Sequence, residues 1–305
     1  MEREPLVPST ILVTGSNGQV GFELRRSLAP LGRIVALDRT SCDLTDVAAL
    51  RVLIRQLRPD VIVNAAAYTA VDRAETEVDL AFAINGIAPG VLAEEAQTLG
   101  SLLVHYSTDY VFPGVGDVPH VETCSVGPLS VYGESKLAGE QAIATSGAQA
   151  LVLRTSWVAG AHGGNFAKTI LRLAGERDSL RIIADQFGAP TTASLIADVT
   201  AQIVNRAWLH GDRAACPTGV FHLAAAGETS WHGYAREVVR YAASKCISLR
   251  IGPDDIKAIP TAAYPLPAPR PANSRLDTRK LRETFDIHLP EWQQGVQFLL
   301  DQILR

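Results

Sequence analysis

Residues 10–21, TILVTGSNGQVG, decide the fold of this chain. The first five form a short apolar strand, and an amphipathic helical pattern begins where the stretch ends. Gly15 makes the tight turn, Gly18 lets the backbone approach a pyrophosphate, and Gly21 allows the helix to pack closely on the strand. The unpaired N–H groups at the helix start favour phosphate groups. This pattern predicts a dinucleotide-binding crossover.

Length and composition narrow the class of protein. A chain of 305 residues accommodates one large domain or two closely packed ones. The net charge of −4 offers no basic surface for nucleic acid, and no apolar run approaches the roughly 20 residues that span a bilayer. Residues 1–5 are charged and lack the apolar core of a signal peptide, so we expect a short disordered lead and a cytoplasmic protein. Four scattered cysteines predict reduced thiols without a metal: Cys42, Cys124, Cys216 and Cys246.

The second predicted strand ends at an acidic residue, Asp38, about 20 residues past the glycine turn. Its carboxylate is placed to accept hydrogen bonds from the adenosine ribose hydroxyls. Arg39 follows and could pair with a 2′-phosphate, so the choice between NAD and NADP stays open here. Asp43 and Leu44 lie beside the adenine in one interpretation. In the other, Cys42 and Asp43 cap the next helix.

Strands and helices alternate through residue 154, which implies a parallel, doubly wound sheet. Ligands of such sheets bind at the carboxyl ends of the strands, where Gly15, Asp38, Ala67 and Thr108 all fall. We therefore predict an α/β fold with a Rossmann-type NAD(P)-binding domain over residues 1–155. Residues 156–305 form a smaller, mainly substrate-binding region, with segments near 196–224 and 276–305 returning to the first domain. Residues 258–271 are proline-rich and predicted to be irregular.

An acid–base apparatus is predicted from two stretches, residues 106–110 and 132–136. Thr108 lies at the carboxyl end of a buried strand, and Tyr132 and Lys136 lie one turn apart on one helix face. A tyrosine has an ordinary pKa of about 10. We expect the nearby ammonium of Lys136 to lower the pKa of the Tyr132 phenol toward the working range. Thr108 can orient the same carbonyl group that the phenol protonates.

These residues resemble one family, the dTDP-4-dehydrorhamnose reductases, over nearly the whole chain past residue 9. The G-x-x-G-x-x-G spacing is typical of extended short-chain dehydrogenase/reductases, to which that family belongs. Eight pieces in the right order carry the resemblance: residues 13–21, 64–67, 106–112, 132–140, 154–158, 165–166, 185–191 and 270–274.

The resemblance implies reduction of the 4-keto group of dTDP-4-dehydro-L-rhamnose by NADPH, with NADH as an alternative. Tyr132 would donate the proton, Lys136 would hold the nicotinamide ribose, and Thr108 would tune the tyrosine. The substrate-binding residues would be Thr108, Asp109, Tyr132, Trp157 and Asn165. The cofactor-binding residues would be Gly15, Gly18, Gln19, Val20, Gly21, Asp38, Arg39, Asp43, Leu44, Ala67, Tyr68, Thr69, Tyr106, Tyr132 and Lys136.

Magnesium binding is a point where the chain departs from the family. Some members hold Mg²⁺ at a dimer contact through glutamates. Here Glu23 matches one such position, but Ser194 and Gln302 stand at the others. A hard cation prefers several oxygen ligands, including carboxylates. We therefore predict no metal and doubt a metal-bridged dimer, whereas a homodimer as such stays open.

Two other functions compete with the reductase. A nucleotide-sugar dehydratase or epimerase shares the glycine turn and the Tyr-Lys pair, but in the dehydratases a glutamate follows the Thr-Asp, where this chain has Tyr110. A non-enzymatic regulatory subunit on the same fold, as in methionine adenosyltransferase, could also keep these residues. His105 is interpreted as a packed core residue, and Trp231 as a core or interface residue.

Overall fold

Six parallel strands form the central sheet of the computed structural model, which describes residues 8–304. The six strands are β1 (Thr10–Thr14), β2 (Arg33–Leu37), β3 (Val61–Asn64), β4 (Leu102–Thr108), β5 (Ala150–Thr155) and β10 (Gly219–His222). Their order across the sheet is β2-β1-β3-β4-β5-β10. The predicted parallel, doubly wound α/β fold is confirmed. Residues 1–5, with the predicted disordered lead, lie outside the described residues.

Eleven α-helices are found in residues 8–304. They are α1 (Gln19–Leu28), α2 (Val47–Leu57), α3 (Val71–Ala74), α4 (Val78–Phe82), α5 (Ala88–Leu99), α6 (Val131–Thr145), α7 (Phe166–Glu176), α8 (Ala193–Ile203), α9 (Trp231–Ser244), α10 (Arg279–Phe285) and α11 (Trp292–Ile303). Two π-helical segments continue α4 and α8, at Ala83–Ile87 and Val204–Leu209. The remaining strands are short: β6 (Val158–Ala159), β7 (Leu180–Ile183), β8 (Phe187–Gly188), β9 (Thr191–Thr192), β11 (Thr229–Ser230) and β12 (Ile256–Ile259).

Side chains of the central strands alternate between two hydrophobic cores. In β1, Ile11 and Val13 belong to a cluster that includes residues of α1 and α8, whereas Leu12 belongs to a second cluster with residues of α2 and α5. The same alternation runs through β3, β4 and β5, because successive side chains of a strand point to opposite faces. Helices therefore cover both faces of the sheet, as a doubly wound fold requires.

The later part of the chain builds a third hydrophobic cluster, largely from α7, α9 and α11. Two segments nevertheless return to the central sheet: α8 packs against α1, and β10 pairs with β5. Leu281 and Phe285 of α10 also join the first core. Helix α11 packs its apolar face in the third cluster, and the return of residues 276–305 as a whole stays a prediction. The boundary at residue 155 stays a prediction.

The proline-rich segment is more regular than predicted. Its first two residues belong to β12, which pairs in parallel with β7, and a 3-10 turn follows at Thr261–Ala263. Arg270 ties the far end of the segment to α3, since its guanidinium donates to both carboxylate oxygens of Asp72 at 2.9 and 2.8 Å. Backbone pairing and one ion pair thus hold a segment whose composition suggests a loop.

Candidate active site

A cleft opens at the carboxyl edge of the sheet where β1 lies between β2 and β3. The chain leaves β1 toward β2 on one side and later returns on the other, which makes this the switch point of the topology. The cleft has a volume of about 380 Å³. Nine of the predicted cofactor-binding residues line it together: Gly15, Gly18, Asp38, Arg39, Asp43, Leu44, Ala67, Tyr68 and Thr69.

The glycine turn leaves no room for side chains. Gly15 has a φ of +66°, and a Cβ there would lie 2.6 Å from the backbone of Ala66 after β3. A Cβ on Gly21 would lie 2.1 Å from the carbonyl oxygen of Gly15. Glycine is therefore required at both positions. The turn therefore presents backbone without side chains at Gly15 and Gly21, which fits a group that must approach main-chain N–H donors closely.

The predicted ribose-binding carboxylate, Asp38, is already engaged in the structure. One of its oxygens accepts from the Thr40 hydroxyl at 2.6 Å and from the Ser41 amide at 3.1 Å, while the other accepts from Asn17 at 2.8 Å. The hydrogen bonds from Thr40 and Ser41, led by the one from the Thr40 side chain, lower the pKa of Asp38 to about 2. A ribose hydroxyl would meet a fully ionised acceptor at this position.

The two interpretations of residues 42–43 are now distinguished. Asp46, not Asp43, caps α2, because its carboxylate accepts from the Ala49 amide at 2.9 Å. Asp43 accepts from Thr45 and lines the cleft. The helix-cap interpretation of Cys42 and Asp43 is therefore wrong.

Four predicted contacts are placed differently by the structure. Val20 packs against the first core, and the Tyr106 hydroxyl pairs with Thr200 at 2.8 Å on that same face. The Tyr106 ring belongs to the first core together with Leu102 and Val104, and its contact with a cofactor stays a prediction. The remaining two residues interlock: Asn165 donates to Gln19 at 3.1 Å and caps α7 by accepting from Lys168. Substrate binding by Asn165 stays a prediction.

The predicted proton donor and its hydroxyl partner lie together. Desolvation raises the pKa of Tyr132 to about 12, and a hydrogen bond with Thr108 acts against that rise. The Thr108 hydroxyl also donates to Asp109 at 3.1 Å and accepts from the Tyr110 amide. Lys136 has no part in this shift, so the expected lowering of the phenol pKa is not found. The Lys136 ammonium instead donates to the Tyr106 carbonyl at 2.6 Å.

Lys136 is buried, and the charge of Glu140 opposes the effect of burial on its pKa. Its side chain is 2% exposed, and burial lowers its pKa to about 8. Besides the Tyr106 carbonyl, its ammonium meets the Nε2 atom of His105 at 3.1 Å. His105 is fully buried, as predicted for a core residue, and its other ring nitrogen meets Asn64 at 3.0 Å.

The helix that carries Tyr132 and Lys136 is positioned by a bend in the chain. Asn85 lies in the π-helical segment Ala83–Ile87. Its side-chain oxygen accepts from the Tyr68 amide, and its side-chain nitrogen donates to the Tyr68 carbonyl and, at 3.0 Å, to the Ser135 hydroxyl. Ser130 caps α6 through the Gly133 amide. Asn85 therefore couples α6 to the cleft residue Tyr68.

Trp157 follows β5 in a backbone conformation that a bulky side chain rarely adopts, with φ at +48°. Its ring stacks on Trp231 at a centroid distance of 3.7 Å. Trp231 in turn contacts Phe166 and Tyr234. Such strain persists only where the surroundings hold it, and it clusters at functional sites. The conformation of Trp157 is compatible with the predicted sugar contact, and the stacked Trp231 ring holds the Trp157 ring in place.

The three residues at the positions of the family's metal site line one surface cleft of about 630 Å³. Glu23 there is paired with Arg26 at 3.0 Å, and Arg26 also pairs with Asp198 at 2.9 Å. No group of three His, Cys, Asp or Glu residues within residues 8–304 could hold a metal ion. The absence of Mg²⁺ stays a prediction.

A tyrosine and a buried lysine one turn apart, beside a dinucleotide cleft, are what a short-chain dehydrogenase/reductase uses to protonate and hold its reactants, and this chain is of that class. A family model described as the RmlD substrate binding domain matches residues 9–305. The chain belongs to the dTDP-4-dehydrorhamnose reductase family, and the resemblance inferred from its motifs is confirmed.

Individual relatives show how close the similarity is. The dTDP-4-dehydrorhamnose reductase of Salmonella typhimurium is 49% identical over 297 residues, which cover 96% of this chain and 97% of that protein. The solved reductase of Clostridium acetobutylicum has a TM-score of 0.88 at 33% identity and covers 97% of this chain and all of its own. That of Bacillus anthracis, solved in complex with NADP, has a TM-score of 0.87 at 31% identity, covering 96% of this chain and 99% of its own.

Among residues 8–304, every helix is too short or too polar to cross a bilayer.

Proposed function

We propose that this chain reduces the 4-keto group of dTDP-4-dehydro-L-rhamnose with NADPH and so forms dTDP-L-rhamnose, the last step of that synthesis. The observation that carries the proposal is the placement of the Tyr132 phenol against Thr108, with Lys136 one turn away. The dTDP-sugar is the natural partner of the site, because the relatives at 48 to 49% identity are named for it.

NADPH fits the residues of the cleft. The bare backbone of the glycine turn and the start of α1 would receive the pyrophosphate, and Arg39 is exposed beside Asp38, where a 2′-phosphate could pair with it. The reductase of Bacillus anthracis was solved with NADP. NADH is proposed as an alternative, because the ionised Asp38 can accept from unmodified ribose hydroxyls.

When bound, NADPH supplies the hydride that reduces the C4 carbon of the keto sugar. Tyr132 gives its proton to the carbonyl oxygen, so the C=O bond becomes an alcohol and the phenol becomes a phenolate. A pKa near 12 keeps the phenol protonated at neutral pH until the step. Thr108 donates to the same oxygen or to the phenolate. Lys136 would hold the nicotinamide ribose, and a proton from water restores the phenol.

We also propose a cytoplasmic location and leave a homodimer as a possibility to be measured. The four cysteines are unpaired in the structure, which supports a reducing compartment.

The test is NADPH oxidation with dTDP-4-dehydro-L-rhamnose, followed by the loss of NADPH absorbance, with Tyr132→Phe beside the unaltered chain. We expect Tyr132→Phe to lose at least about 10²-fold in rate, because it removes the general acid. Tyr234→Phe is the matched control, since that buried hydroxyl has no hydrogen-bond partner within residues 8–304.

Two outcomes would contradict the proposal separately. No turnover of the keto sugar by the unaltered chain would exclude the reductase function. Turnover that Tyr132→Phe leaves within about a factor of two of the original would keep the function and remove Tyr132 from it.

A further inference from the structure

Four buried polar side chains cross the sheet beneath the cleft. Thr14, Asn64 and His105 are register partners on the adjacent strands β1, β3 and β4, and Lys136 of α6 meets the last of them. The links measure 2.6 Å from Thr14 to Asn64, 3.0 Å from Asn64 to the His105 Nδ1 atom, and 3.1 Å from His105 Nε2 to Lys136. None of the four is more than 2% exposed.

Counting hydrogens fixes the direction of this chain of hydrogen bonds. An ammonium has three N–H donors and no acceptor. The Tyr106 carbonyl takes one donor, and His105 Nε2 must accept the second, so the imidazole proton lies on Nδ1. In the structure the Asn64 amide nitrogen faces Nδ1, and the amide oxygen accepts from the Thr14 hydroxyl. With the amide turned over, the Nδ1 proton is donated to the Asn64 oxygen and the NH₂ group faces the Thr14 hydroxyl. An asparagine amide presents oxygen and nitrogen at equivalent places, so the observed separations serve this direction.

We propose that His105 is a positioning residue for the reduction: a neutral imidazole with its proton on Nδ1, which accepts from Lys136 and leaves one ammonium N–H for the cofactor ribose. The proposal rests on the proposed reductase function. Asn64 and Thr14 hold the imidazole tautomer, as a hydrogen-bond partner on the far ring nitrogen does for other functional histidines.

The surroundings keep the two groups in the required charge states. Burial, assisted by the charge of Lys136, lowers the pKa of His105 well below its usual value, so the ring stays neutral. The titratable groups that act on Lys136 are His105 from β4 and, on its own helix, Glu140. Glu140 is itself paired with Arg154 at 2.9 and 2.6 Å. The imidazole is therefore the side-chain acceptor closest to the ammonium.

The first test reads the tautomer and does not depend on turnover. The full chain is labelled with ¹⁵N in its histidine rings, and the signals of residue 105 are assigned by their loss in His105→Gln. We expect Nδ1 to carry the proton and Nε2 to be bare from pH 6 to about 7.5. A proton on Nε2, or an imidazolium, in that range would overturn the proposal even if the reductase function holds.

The second test reads the reaction. His105→Phe keeps a ring of similar volume but offers Lys136 no acceptor, so the ammonium loses a hydrogen bond and its pKa falls. We expect the high-pH limb of kcat/KM for the keto sugar to move down by about one pH unit, a tenfold change in the acid constant. His105→Gln restores an acceptor and should return the high-pH limb of kcat/KM to the pH at which the unaltered chain shows it.

His222→Phe is the matched control. His222 is equally buried on β10, and its ring contacts the Asp277 carbonyl instead of a lysine. The His222→Phe variant should be less stable than the unaltered chain, while the high-pH limb of its kcat/KM profile should stay in place. An unmoved limb in a folded His105→Phe would contradict the proposal, and if that variant does not fold, the ring tautomer of the unaltered chain decides.

Discussion

At the scale of single residues, Asp109 links activity to stability. Its carboxyl is 2% exposed, and one of its oxygens has no hydrogen-bond partner in the part of the chain that the structure describes. Burial raises its pKa to about 6, although hydrogen bonds from Ser274 and Thr108 act against the rise. A buried acceptor beside the proton donor is useful for holding a sugar hydroxyl, and it carries a cost in stability when it ionises.

This cost predicts a pH dependence. Because the pKa of Asp109 is higher in the folded chain than in the unfolded one, the folded chain holds the extra proton between about pH 4 and 6. The stability from this group is complete below pH 4 and is lost as the pH rises through 6. Asp109→Asn should therefore be more stable than the unaltered chain at pH 7.5, by about 2 kcal/mol, and less so at pH 5.

Urea denaturation at the two pH values measures the difference, with the exposed Asp117→Asn as control. The same variant should lose at least about tenfold in kcat/KM if Asp109 binds the sugar. Equal stability differences at pH 5 and 7.5 would exclude the assigned ionisation.

At the scale of elements, the first crossover depends on contacts between backbone atoms. Helix α1 lies so close to the turn after β1 that a Cβ on Gly21 has no space beside the Gly15 carbonyl. The same turn meets the backbone that follows β3 at Ala66. Strand, turn and helix are thus a single unit, and any cofactor held by its N–H groups depends on their spacing.

We expect Gly21→Ala to destabilise the fold by about 3 kcal/mol, because overpacking forces the helix away from the turn. The NADPH dissociation constant, measured by fluorescence titration, should rise at least about tenfold. Gly175→Ala is the control, since Gly175 lies within α7 with no atom near its missing Cβ. Alanine at this position should raise the free energy of unfolding by up to about 1 kcal/mol. Unchanged NADPH binding by Gly21→Ala would refute this account of the turn.

At the scale of the whole molecule, side chains bridge the two parts of the chain across the site. Arg270 of the later part pairs with Asp72 of α3 at 2.8 Å. Burial raises the pKa of Tyr110, and the charge of Arg270 opposes that rise, so the ion pair lies beside Tyr110. The Tyr110 ring meets that of Tyr132 at a centroid distance of 5.4 Å. The ion pair therefore holds the proline-rich segment near the proton donor.

Asp72→Asn should loosen this segment and raise the KM for the keto sugar about fivefold, which corresponds to about 1 kcal/mol for a partly exposed pair. Binding of NADPH should stay within about a factor of two, because Asp72 is outside the cleft residues. Asp254→Asn breaks an exposed pair with Arg236 elsewhere and serves as control. Equal KM values for the two variants in steady-state assays would show that the ion pair has no part in binding the sugar.

Local patterns in the sequence were enough to predict the fold class and the pair of reacting residues, Tyr132 and Lys136. The strand, glycine turn and helix at residues 10–21 are set by steric limits within one short stretch, and Tyr132 and Lys136 share a face because they are four residues apart on a helix. Such features depend on neighbours in the chain, so their spacing alone predicts them.

Only the tertiary structure decided what the Lys136 ammonium contacts, which way the Tyr106 ring points, and where α11 packs. His105 and Asn64 are 41 residues apart in the chain, and the hydrogen bond between them depends on the register of the sheet. The raised pKa of Tyr132 likewise follows from burial among distant segments. Contacts of this kind arise from the packing of separate elements, which no spacing within one stretch records.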